Sequence, residues 1–320
     1  MEFGIIGARR NAKGNRPMNL TDQLMELFHT CFPTAVRNPE TARKILSDPE
    51  NKVLARYDGD KLMAALVLNG NTVYMLAVLS EYRKQGIGSA LLSEAEAICK
   101  AAGYDAVVIG AGKEYLTPGV PTSEKEFEET LKPENIDPGV TTEGADFFKK
   151  RGYVHSWGDC NCFDMRFPLE EMPEDMPGVG DMVDGITYRW ATLEDLPGIT
   201  ACTDDAEESF TKYYQNPALY TGTGDQRVLV ALEKGKIIGN LMVSFENEGP
   251  GRGSVGCTAV VNAARGRHIG VNMTRIGTRA LKEAGLREGF LGYTYSGLDR
   301  MYGYAGYKIC VYYMMAKKPL

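Results

Sequence analysis

Two short runs of this chain could grip an anion. They are Arg83-Lys84-Gln85-Gly86-Ile87-Gly88, followed by Ser89, and Arg265-Gly266-Arg267-His268-Ile269-Gly270. Each follows an apolar, strand-like stretch and precedes a helix-like one. A helix start leaves backbone N–H groups without intrahelical partners, and the helix dipole adds partial positive charge there. Gly86 and Gly88 lack side chains, so a bulky anion can approach the backbone closely. Arg83 and Lys84 add fixed charge, and a diphosphate is the natural guest. A P-loop would need Gly-Lys-Ser/Thr where this chain has Gly88-Ser89-Ala90. A dinucleotide-binding turn would want a third glycine at Leu91 and a βαβ unit starting there. In the second run His268 stands where the first has Gly86, and its ring would crowd a pyrophosphate unless the loop opens.

The elements around these runs repeat. Val53–Val67 aligns without a gap on Val228–Met242, and both read as strand, polar turn, strand. The strands Val73–Val78 and Val255–Val261 lead into the turns. The helices that follow carry apolar stripes, Leu91, Leu92, Ala95, Ile98 and Cys99 in one and Met273, Ile276, Ala280 and Leu281 in the other. Each ends at a glycine, Gly103 or Gly285, as helix C-termini often do. Phe147–Tyr153 then parallels Met301–Tyr307, a short helix end, a glycine and an aromatic residue entering a strand. Between turn and last helix the first half is longer by about 28 residues, a length that usually carries function or disorder. The excess falls around Gly112–Val140.

Composition narrows the classes. A length of 320 residues favours two domains. The stretch 168–185 holds three prolines, three glycines, six acids and no base, and reads as an extended linker. The expected division is therefore 1–167, linker 168–185, and 186–320. The linker's six acids account for the whole net charge of −6, so the folded halves are close to neutral. Nothing supplies the excess Lys/Arg that a general nucleic-acid binder needs. No apolar run approaches a membrane span, and the N-terminus does not read as a secretion signal. Seven scattered cysteines read as reduced thiols in a cytoplasmic protein, and neither Cys160/Cys162 nor the three histidines have metal-ligand spacing, so no metal is expected.

The order strand–strand–strand–turn–helix–strand–helix–strand, with Leu76-x-Val78-x-x-x-Tyr82-Arg83-x-x-Gly86-Ile87-Gly88-x-x-Leu91-Leu92, resembles the GCN5-related N-acetyltransferase (GNAT) family. Ile186–Leu196 looks like that family's first strand and helix. The likeness covers roughly 50–167 and 186–316, and the tandem arrangement is similar to that of mycothiol synthase, from which no thiol-sugar substrate is inferred. The resemblance implies an α/β fold of two tandem domains, each a mixed, mostly antiparallel sheet flanked by helices. It implies acetyl-CoA as cosubstrate, with its pyrophosphate on the turns Arg83–Ser89 and Arg265–Gly270. Strand segments Leu76-Ala77-Val78 and Thr258-Ala259-Val260 would face the thioester through a backbone N–H at a bulge.

In the family a tyrosine on the last helix protonates the departing CoA thiolate, as a phenol can at neutral pH. That position falls on Tyr302 in the second half and on Phe148, read as core, in the first. The first half thus has the better turn and no acid, the second the acid and a doubtful turn. Glu246, just after the hairpin strand Ile237–Phe245, could act as general base through water, although a solvated loop carboxylate is the more ordinary reading. Tyr115 could lend the first half a hydroxyl. Tyr115–Thr122 could wall a substrate site, and the acids Glu124, Glu126, Glu128 and Glu129 would suit a polyamine or aminoglycoside. The expected activity is acetylation of a primary amine on a small molecule, such as an aminoglycoside, a polyamine or an amino-acid-like acceptor, by a monomer or homodimer. The alternatives are a non-catalytic acyl-CoA-binding or sensor protein and a protein or peptide N-acetyltransferase.

Overall fold

The computed structural model describes residues 18–32, 38–110, 115–122, 144–158, 160–245, 249 and 251–320. In chain order the helices are α1 (Leu20–Cys31), α2 (Pro39–Leu46), α3 (Ile87–Ala101), α4 (Ala145–Lys149), α5 (Leu196–Ala206), α6 (Ile269–Glu283) and α7 (Asp299–Tyr304). The strands are β1 (Lys52–Asp58), β2 (Lys61–Asn69), β3 (Thr72–Val78), β4 (Ala106–Ile109), β5 (Val120–Thr122), β6 (Val154–His155), β7 (Cys162–Pro168), β8 (Met182–Val183), β9 (Ile186–Trp190), β10 (Gln226–Glu233), β11 (Lys236–Ser244), β12 (Arg252–Val260), β13 (Glu288–Tyr295), β14 (Lys308–Met314) and β15 (Ala316–Pro319).

The chain forms two compact units, one from the described residues of 39–117 with 18–32 and 317–320, the other from those of 118–316. In the first unit the strand order is β1-β2-β3-β4-β15. β1, β2 and β3 pair antiparallel, and β3 and β4 run parallel. Strand side chains alternate between faces. Ala65, Val67, Met75 and Ala77 pack with Leu24, Leu27 and Phe28 of α1 and Ile45 and Leu46 of α2. Ala64, Leu66 and Leu68 point the other way and are equally buried, and α3 packs on β2 and β3.

The second unit holds a nine-stranded sheet, β5-β14-β7-β13-β12-β11-β10-β9-β8. On one face Leu229, Leu241, Val243 and Val255 meet Ile269, Met273, Ile276 and Leu281 of α6. On the other, Val228, Val230 and Met242 meet Ile199 of α5 and the 3₁₀ segments Glu208–Tyr214 and Pro217–Tyr220. Both helices that follow the turns end as the glycines foretold. Gly103 and Gly285 take φ of 81° and 83°, and their N–H groups bond Lys100 O and Lys282 O.

The compact units and the sequence halves divide the chain differently. Residues 168–185 belong to the second unit, where Leu169, Met172 and Met176 are buried in its core and β8 pairs with β9. The apolar residues between the acids anchor the segment, and the Arg279 guanidinium donates to Met176 O. The last strand of the first repeat, β7, lies between β13 and β14 in the second unit's sheet, while the chain's last strand, β15, follows β4 in the first. Only Met315 separates β14 from β15.

Candidate functional site

Each unit has a parallel strand pair that comes apart. β3 pairs with β4 only at Thr72↔Val108 and Val73↔Ile109, and then runs on to Val78. β12 pairs with β13 only at Arg252↔Glu288 and Gly253↔Gly289, and then runs on to Val260. The second ladder is fixed at its closed end by Arg252, whose Nε donates to the Glu288 carboxylate. Beyond it β12 and β13 are no longer paired.

The turn at the end of β3 passes through a 3₁₀ segment, Ser80–Tyr82, and enters α3 with Gly86 as N-cap in the left-handed region, φ 84°. The turn after β12 passes through Asn262–Ala264 and enters α6 with His268 as N-cap, φ 57°. Each turn needs a second left-handed residue two places earlier, Lys84 at φ 61° in the first and Gly266 at φ 78° in the second. The pair of positions is thus occupied by Lys and Gly in one turn and by Gly and His in the other. His268 takes a left-handed backbone close to that of Gly86 despite its Cβ. The first intrahelical bonds are Ala90 N–H to Gly86 O and Asn272 N–H to His268 O, so the N–H groups before them have no intrahelical acceptor.

Both turn arginines engage the main chain behind the turn. Arg83 Nε donates to Val78 O at 2.9 Å, and Arg265 Nη2 to Ala206 O at 3.2 Å. Arg267 pairs with Glu233 at 2.7 Å. Lys84, Gln85 and Arg267 are exposed, with the Gln85 amide donating to Glu81 O. Gly270 sits under Met301, whose sulfur would lie 2.9 Å from an added Cβ, so a larger residue there would have to push the flexible Met301 side chain aside.

The strand segments differ. In β3, Leu76, Ala77 and Val78 pair regularly with Leu66, Ala65 and Ala64, and the extra residue of the strand lies earlier, at Tyr74. In β12 Asn240↔Ala259 and Met242↔Gly256 bracket one residue too many, a bulge at Cys257 and Thr258. Cys257 has φ 48°, the left-handed region that a β-carbon disfavours. Tyr302 on α7 comes to this bulge. Its phenol is fully buried, and burial pushes it up to about 12, offset in part by the Thr258 hydroxyl beside it. Thr258 Oγ1 is itself buried and has no well-formed hydrogen bond among the described residues. Cys257 and Tyr295 are the other groups whose charge the phenol would feel. Burial therefore keeps the Tyr302 phenol protonated at neutral pH.

The other named residues sort simply. Phe148 is buried, edge-on to Phe147 and Tyr153. Tyr115 is half-buried. Glu246 lies outside the described residues, as do Glu124, Glu126, Glu128 and Glu129. Sequence alone did not single out Cys257 in the bulge, nor Tyr214 and Asn240, which pack beside it. Tyr214 lies in a 3₁₀ segment with no periodic pattern, and nothing local marks it. Among the described residues no cluster of three or more His, Cys, Asp or Glu could hold a metal, and no helix is long and apolar enough to cross a membrane.

Residues 21–116 match the model of the Acetyltransferase (GNAT) family. No curated protein matches the chain. Among solved structures, the tandem GNAT protein from the clavulanic acid biosynthesis pathway is 16% identical at TM-score 0.61, over 93% of this chain and 94% of that one. A GCN5-related N-acetyltransferase from Sphaerobacter thermophilus is 17% identical at TM-score 0.59, over 93% and 91%. A GCN5-related glucosamine N-acetyltransferase region of a fungal multi-domain GH3 β-N-acetylglucosaminidase is 17% identical at TM-score 0.63 over 99% of this chain. The chain spans 39% of that last protein's length. At these identities the likeness is one of fold.

Proposed function

We propose that this chain, an acyltransferase with a GNAT-family segment at residues 21–116 and the tandem GNAT fold throughout, moves an acetyl group from acetyl-CoA to the primary amine of a small molecule, with the chemistry in the second half. The observation that carries this reading is the buried Tyr302 phenol beside the β12 bulge, at the head of a turn-and-helix anion cradle. The residues fit acetyl-CoA: the unpaired edge of β12 runs from the strand fork to the turn, and the N–H groups at the start of α6 suit a pyrophosphate. Acetyl-CoA would supply the activated thioester.

In the reaction, the amine nitrogen forms a bond to the thioester carbon. Main-chain N–H at Thr258–Val260 stabilises the oxygen as it gains charge. The C–S bond breaks, and the Tyr302 hydroxyl gives its proton to the sulfur. Water or a carboxylate takes the amine's proton, with Glu246 the candidate relay. The turn at Arg83–Ser89 is the second cofactor cradle, and in the first repeat the acid's place is held by Phe148, which has no proton to give. Aminoglycosides, polyamines and amino-acid-like amines are the acceptor classes to try.

Acetyl-CoA stoichiometry by calorimetry, on wild type and on Gly86→Glu, tests the reading together with turnover across an amine panel. Expected are two sites in the wild type, one in the variant, and turnover retained in the variant. Loss of all turnover in Gly86→Glu would move the chemistry to the first half. Binding without acetylation of any amine or peptide would favour a sensor.

A further inference from the structure

The β12 bulge is held from beneath by a buried tyrosine. Tyr214 is fully buried at the end of the 3₁₀ segment Glu208–Tyr214, and its hydroxyl donates to Cys257 O at 2.6 Å. The Tyr220 hydroxyl in turn donates to Tyr214 O at 2.7 Å, fixing the segment that carries the ring. Asn240, on β11 opposite Ala259, lies fully buried beside the Tyr214 hydroxyl with neither amide atom in a well-formed hydrogen bond.

Cys257 stands at φ 48°, a shape that a residue with a Cβ does not take without support. In a regular strand its carbonyl would pair with a neighbouring strand. Here the carbonyl is taken by the phenol, on the face opposite α6, where α5 and the 3₁₀ segments pack. The two residues after it begin the Thr258–Val260 segment, whose Thr258 hydroxyl lies against Tyr302. In the first unit β3 pairs regularly through Leu76–Val78, and no residue there has positive φ.

We propose that Tyr214 is a positioning residue for acetyl transfer: by clamping the Cys257 carbonyl it holds the bulge in the shape that aims main-chain N–H at the thioester oxygen. The proposal rests on the reading that the second half is catalytic. Tyr214 does not touch substrate. It sets the direction of donors that do, and donors must be aimed before charge develops.

The test is Tyr214→Phe in the full chain, with steady-state kinetics and the infrared band of bound carbonyl-¹³C acetyl-CoA. Recording the band in the Gly86→Glu background isolates the second site. Expected is a fall in kcat of about 10- to 100-fold with KM for acetyl-CoA within about threefold, less than the roughly 10²–10³-fold of losing an oxyanion donor outright because the donors are misaimed rather than removed. The thioester band, shifted down in the parent, should move back toward its position in free acetyl-CoA. Glycine takes positive φ without support, so Cys257→Gly should restore part of kcat and of the band shift in the Tyr214→Phe protein. A Tyr214→Phe protein with kcat within twofold of the parent and an unmoved band overturns the clamp alone. A Gly86→Glu parent with no bound thioester band overturns both the clamp and the catalytic reading of the second half. If Tyr214→Phe does not fold, Tyr214→Phe/Cys257→Gly is measured in its place: kcat and band lying together between the parent and the unaimed values support the clamp, and a fall in kcat with a fully parent-like band overturns it.

Discussion

Tyr302 keeps its proton because a phenolate in its pocket would have no water and no cation. Burial is the main cause of its rise to about 12, and the Thr258 hydroxyl offsets only part. Tyr302→Phe removes the proton and little volume, so turnover should fall at least about tenfold while acetyl-CoA affinity changes little. Equal turnover in the two proteins excludes the acid role. The same burial predicts a pH dependence of folding. A phenol whose folded pKa lies above its unfolded value near 10 adds stability that is fully present below pH 10. That stability is lost as pH rises through the folded value. Tyr302 and Tyr220, both pushed up to about 12, contribute between pH 10 and 12, alongside buried Tyr214, Tyr307 and Tyr313, which are raised further. The loss for fully buried Tyr302 is about 2–3 kcal/mol. Thermal melts across this range should show Tyr302→Phe losing less than wild type.

At the scale of elements, the two turns solve one backbone problem with different residues. Two left-handed positions are required, and a glycine sits at the second in one half and at the first in the other. His268→Gly removes an unfavourable left-handed residue worth about 1 kcal/mol and opens space over the start of α6. We expect tighter acetyl-CoA binding at the second turn, read by calorimetry in the Gly86→Glu background. Unchanged affinity would mean that the imidazole does not crowd the guest. Helix α6 also presses close to its sheet. A Cβ at Gly277 would lie 3.0–3.1 Å from Val255, Leu241 and Val243. Gly277→Leu should therefore cost about 2–3 kcal/mol in urea unfolding, as overpacked helix–sheet contacts do.

At the scale of the whole molecule, each repeat contributes its last strand to the sheet of the other unit. Deleting residues 316–320 therefore takes β15 from the first unit, together with the Lys318–Glu96 ion pair at 2.8 Å and the Leu320 N–H to Asp105 O bond. Hydrogen exchange should rise in β4 and α3, near the N-terminal half of the sequence, while β10–β13 keep their protection. Increased exchange confined to β10–β13 would contradict the strand assignment.

The sequence by itself determined what is local and periodic. The two strand–turn–helix units, the glycine helix ends, the helical stripes and the buried Phe148 all follow from spacing and side-chain type, because short-range sterics and amphipathic burial decide them. Tyr302 is singled out by the family resemblance rather than by spacing or periodicity. Only the tertiary structure decided which strands neighbour which. An apolar strand such as β7 or β15 carries no record of its partner, since any sheet edge of matching burial satisfies its hydrogen bonds. The same holds for the segment 168–185, whose prolines and acids read as extended chain while its Leu and Met side chains found a core. Likewise the bulge at Cys257 and the Tyr214 hydroxyl beneath it come from sequence positions 43 residues apart, joined by packing alone.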